Sequence, residues 1–100
     1  MQRPERLNEL HQTGRLQWID REHAWSACPD DVVNALASDG FQEYKRETTR
    51  SRRDRLPTGG VWQGLNAATG AVASAIWVMR AQSDDALVFI DIDGEPVQGP

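Results

Sequence analysis

The residues able to do chemistry are few and scattered. His11, His23 and Cys28 are the soft-metal ligand types, and their spacing does not make the paired four-ligand clusters of zinc sites. Cys28 stands just ahead of Pro29, where a helix N-terminus would activate a thiol, but the spacing sets no base beside it. Asp91 and Asp93 alternate onto one face of a strand, which makes a carboxylate pair conceivable, although solvated strand-end carboxylates are far commoner. Asp91-Ile92-Asp93-Gly94-Glu95 begins like a calcium loop and lacks the remaining ligands. Gly59, Gly60, Gly64 and Gly70 are followed by no Gly-Lys-Ser/Thr, so they are read as turns and close strand approaches rather than a phosphate cradle. No Gly-x-Ser-x-Gly elbow is present. The reading is therefore non-enzymatic, with no catalytic residue, metal or cofactor assigned.

What stands out is Lys45-Arg46-Glu47-Thr48-Thr49-Arg50-Ser51-Arg52-Arg53-Asp54-Arg55. Of the 11 Lys and Arg in the chain, six fall here: Lys45, Arg46, Arg50, Arg52, Arg53 and Arg55. Arginine makes bidentate bonds to carboxylate or phosphate, and Thr48, Thr49 and Ser51 add hydroxyls that suit phosphate. On a strand running into a loop, the segment becomes a basic finger, with Arg46, Thr48 and Arg50 alternating onto one face. The bland alternatives are a solvated edge strand charged against edge-to-edge aggregation, or a loop docked on Asp84, Asp85 or Asp93 of its own chain or a twin.

Charge is segregated along the chain. The net charge is −4, and all of that excess lies beyond residue 55, where Arg80 faces Asp84, Asp85, Asp91, Asp93 and Glu95. An acidic total disfavours a general nucleic-acid coat but leaves room for a local basic patch. The four Trp are many for 100 residues; each offers a large apolar face and an N–H that needs a partner when buried. Core anchoring is the first reading of them, with Trp62 also a candidate for the partner surface. The lone Cys28 excludes an internal disulfide, and no apolar run suggests a secretory signal or a membrane span. A cytoplasmic location is expected.

Elements able to position the arginines follow from pattern. Residues 4–13 read as a short helix with Pro4 in its first turn and Gly14 past its end. Residues 15–28 fit either a helix face or strands, with a strand favoured over 15–19. The clearest element is a helix over 29–39, opened by Pro29, Asp30 and Asp31, with Val32, Val33, Leu36 and Ala37 on one face and Gly40 as its cap. Four strands follow at about 41–50, 61–66, 71–80 and 86–92, with a basic loop at about 50–60 and a hairpin in which Gly70 takes the positive-φ bulge position. The strand at 71–79 is apolar on both sides, as a central strand would be. The expectation is a single α+β domain over 1–100, two N-terminal helices packed on a four-stranded antiparallel meander.

The functional expectation is a small interaction or regulatory protein that binds a protein partner through the Arg-rich strand and loop and through Trp62. A nucleic-acid binder using the same segment is the alternative, and a small enzyme involving His23, Cys28 or Asp91 the second. No membrane association is expected, and self-association remains open.

Overall fold

The computed structural model describes residues 4–80 and 83–99. Its elements run α1 (Glu5–Gln12), β1 (Leu16–Ile19), a 3-10 turn (Asp20–Glu22), β2 (Ala24–Ala27), α2 (Pro29–Ser38), β3 (Phe41–Arg50), β4 (Pro57–Asn66), β5 (Val72–Met79), β6 (Ala86–Ile92) and a short β7 (Glu95–Pro96). The turn expected at 82–85 falls partly outside the described residues. No helix among them is long and apolar enough to cross a membrane.

All strands join one antiparallel sheet in the order β1-β2-β6-β5-β4-β3, with β7 beside the far end of β6. The expected four-strand meander is the β3–β6 part of it. The correction is β1 and β2, a hairpin closed by His23 at φ 50 and joined to β6 through Trp25↔Val88, Ser26↔Leu87 and Ala27↔Ala86. β2 pairs with a strand far along the chain, so nothing local announces it. A second correction concerns the loop. Pro57, Thr58, Gly59 and Gly60 belong to β4, and the connection between β3 and β4 shrinks to residues 51–56.

The helices share one face of the sheet and lie antiparallel, pinned at both ends. The Asp39 carboxylate accepts from the Arg6 amide at 3.0 and 3.1 Å, capping the start of α1 with a residue at the end of α2. At the other end Arg15 meets Asp31 at 2.8 Å. Leu7, Val32, Val33, Ala35 and Leu36 face the core, while Ala37 is exposed, so Ala35 takes the place expected of Ala37. Gly40 and Gly70 hold φ of +100° and +76°, as the cap and the hairpin require.

Three of the four tryptophans belong to the buried core. Trp25 and Trp62 are fully buried and Trp77 is 9% exposed. The Trp25 indole N–H donates to the Val97 carbonyl at 2.8 Å, and its ring meets Trp18 and His11 edge-on at 5.1 and 5.3 Å. On β4 the glycines are the floor beneath two indoles. A Cβ on Gly60 would fall 2.4 Å from Trp77 Cζ2, and one on Gly64 would fall 2.4 Å from Trp62 Cη2. Gly60, expected in the loop, and Gly64, expected in a strand, are both close-approach positions within β4.

Candidate functional site

β3 is an edge strand, and nine of its ten residues are exposed; only Phe41 is buried. A register shift between Glu43 and Lys45 leaves Tyr44 unmatched, a bulge that bends the edge. Before the bulge Glu43 points over Trp62. Its Oε1 accepts from the Trp62 indole N–H at 2.8 Å and from Arg46 Nε at 2.8 Å, with Arg46 Nη2 at 2.7 Å. Arg46 is thereby a lid on the Trp62 pocket, and Trp62, wholly buried beneath it, belongs to the core rather than to a surface. Arg46 and Thr48 pair with Trp62 and Gly60 and share their face, whereas Arg50 lies beyond a second register shift.

The remaining cations gather on β3 and the tip of the β3–β4 hairpin. Ser51 and Asp54 build the tip: the Ser51 amide donates to the Leu56 carbonyl, the Arg55 amide to the Ser51 carbonyl, and the Leu56 amide to Asp54 Oδ1, at 3.0 to 3.1 Å. Arg50 Nη1 donates across the tip to the Arg55 carbonyl at 3.0 Å. Arg55 sits at φ 60, a left-handed conformation that disfavours a side chain and usually takes glycine or asparagine. Among the described residues Lys45, Arg50, Arg52, Arg53 and Arg55 make no ion pair; the pairs formed are Arg6–Glu9, Arg15–Asp31, Arg21–Glu22 and Arg46–Glu43. The tip is thus not docked by an ion pair on Asp84, Asp85 or Asp93 of its own chain.

Between this tip and the β5–β6 connection lies an open groove of about 890 Å³, lined in part by Asp54, Leu56, Val78, Arg80 and Asp84. Leu56 is 61% and Val78 55% exposed, so the groove offers apolar wall beside charge. Neither residue was singled out from sequence, although the two-sided apolar pattern of β5 pointed to Val78. A smaller cleft of about 350 Å³ between α1 and α2 holds charges that are already matched. There the hydrogen bond and the charge of Glu9 hold the Arg6 guanidinium above its ordinary pKa.

The residues considered for chemistry lie apart in the sequence of elements. His11 is on α1 with Nδ1 3.0 Å from the Leu16 carbonyl oxygen, His23 closes the β1–β2 turn, and Cys28 precedes α2. Asp93 is no strand partner of Asp91. It stands at φ 54 in the turn after β6, and its Oδ1 accepts from the Val72 amide at 2.9 Å, because the strand ends at Ile92 before the alternation reaches it. No group of three or more His, Cys, Asp or Glu among the described residues is placed to hold a metal ion. Comparisons with protein-family models, with curated proteins and with solved structures find no match for this chain.

Proposed function

We propose that this chain is a non-enzymatic interaction protein that engages an acidic protein partner through its β3–β4 hairpin. The observation that carries the reading is the set of five cations, Lys45, Arg50, Arg52, Arg53 and Arg55, standing on an edge strand and its tip with no ion pair among the described residues. Charged groups left unmatched at a surface steer encounter and select the sign of the partner. The turn closes through Arg55 at positive φ, where arginine costs roughly 1 kcal/mol relative to glycine, so the position keeps a cation at the tip at some expense to the turn. Exposed Tyr44, Leu56 and Val78 beside the cations favour a protein partner over a phosphate backbone, since they offer apolar area for side chains. The net charge of −4 points the same way.

Affinity capture from the native host, with and without nuclease, tests this reading. The proposal expects a protein retained after nuclease treatment and released by salt. Recovery of nucleic acid alone, or of nothing above a control matrix, contradicts it.

A further inference from the structure

The second face of the sheet carries its own apolar surface, which meets the groove beside the arginine tip only at Val78. An antiparallel sheet covered on one side ordinarily alternates apolar inward and polar outward. β5 and β6 break that rule. Ala73, Ala75 and Trp77 face the helices, yet Ile76 and Val78 between them point the other way and are 46% and 55% exposed. On β6, Phe89 does the same at 42%. Register puts Val61, Ile76 and Phe89 side by side across three strands, with Leu65 beside Val72 at one end and Val78 beside Leu87 at the other. No described helix lies on this face.

We infer that this face packs against the same face of a second copy, forming a two-fold dimer of the helix–sheet–sheet–helix kind. Two features select a second copy over another occupant. The first is charge. Lys45, Gln63, Ser74 and Asp91 form one row across the face, with the cation two strands to one side of β5 and the carboxylate one strand to the other. A two-fold axis along β5 lays β5 on β5 and β4 on β6. It brings Lys45 over to the side of Asp91 of the partner subunit, offset by about 4.8 Å across sheets about 10 Å apart, within reach of a lysine side chain. The same axis sets Val61 against Phe89 of the partner subunit and places Ile76 on the axis, so the apolar rows match themselves. The second is size. The open face spans about 500 Å² on each copy by strand spacing and length, so two copies bury about 1,000 Å², the threshold for a specific interface. Lys45 and Val78 serve both readings, whereas Arg52 and Arg53 belong to the acidic-partner reading alone and Ile76 and Asp91 to the dimer alone, so exchanges at those positions test the two separately.

Sedimentation equilibrium of the full chain between about 1 and about 100 µM, which brackets a contact of this size, tests the inference. The expected result is a dimer of twice the 11.2 kDa chain mass. Ile76→Lys should be monomeric throughout with its circular dichroism unchanged. Lys45→Asp should weaken the dimer about tenfold by like-charge apposition, and Lys45→Asp with Asp91→Lys should restore it, a rescue that survives even if Ile76→Lys fails to fold. A wild-type monomer at every concentration overturns the inference. So does a dimer that is indifferent to the Lys45 and Asp91 exchange.

Discussion

The two faces of the sheet are cut from the same strands and do different work. On β5, Ala73, Ala75 and Trp77 lie under helices and neighbouring indoles, while Ser74, Ile76 and Val78, one residue over, meet no covering element among the described residues. The covered face reaches closure by small-residue floors beneath large rings: Gly60 under Trp77, Gly64 under Trp62, and Glu43 with Arg46 across the Trp62 edge. Among the described residues nothing comparable closes the other face or the hairpin tip, where apolar side chains and cations without an ion pair lie outside. The difference separates residues that hold the fold from residues available to partners.

Substitutions can break or sharpen that division. Trp62→Ala should have the largest effect, about 3–5 kcal/mol in urea unfolding, because it empties a fully buried site and strips Glu43 of a donor. A loss below about 1 kcal/mol would mean that the covered face is not the core. Gly60→Ala should cost about 1–3 kcal/mol, since its Cβ meets Trp77 Cζ2 at 2.4 Å, in a ring held in the core, and the Glu47 carbonyl oxygen at 2.8 Å, which cannot yield without moving the sheet. A neutral result would show that the Trp77 ring is free to move. At the other extreme, Arg55→Gly should leave the protein as stable or stabilise it by about 0.5 kcal/mol, because it relieves a positive φ at an exposed turn. Destabilisation there would place Arg55 in the fold's own bonding rather than on its recognition surface.

Much of this frame was legible in the sequence. Pro29 and Gly40 marked α2 within a residue, and Phe41–Arg50 was bounded as observed, because caps and β-branched runs are local signals. The β1–β2 hairpin was only half legible: Leu16 and Trp18 alternate, but β2 is four residues long and gains its place by pairing with β6. Gly59 and Gly60 are hard to place in a strand for the same reason, since what requires them arrives from Trp77 on the adjacent strand: its backbone carbonyl against Gly59 and its ring against Gly60. The arginine cluster was visible as composition. Its division into an internally paired Arg46 and an unpaired remainder depends on where Glu43 falls around the bulge, which spacing alone does not fix.

The most direct test of the account is partner retention by the Arg52→Glu/Arg53→Glu variant. No side-chain bond of either residue is formed among the described residues, and both lie outside the proposed dimer face. Exposed charges of this kind contribute within about 0.5 kcal/mol to stability, so the urea midpoint should match the wild type. The account expects this folded variant to lose the nuclease-resistant partner that the wild type retains. Equal retention of that partner by the two proteins would contradict it.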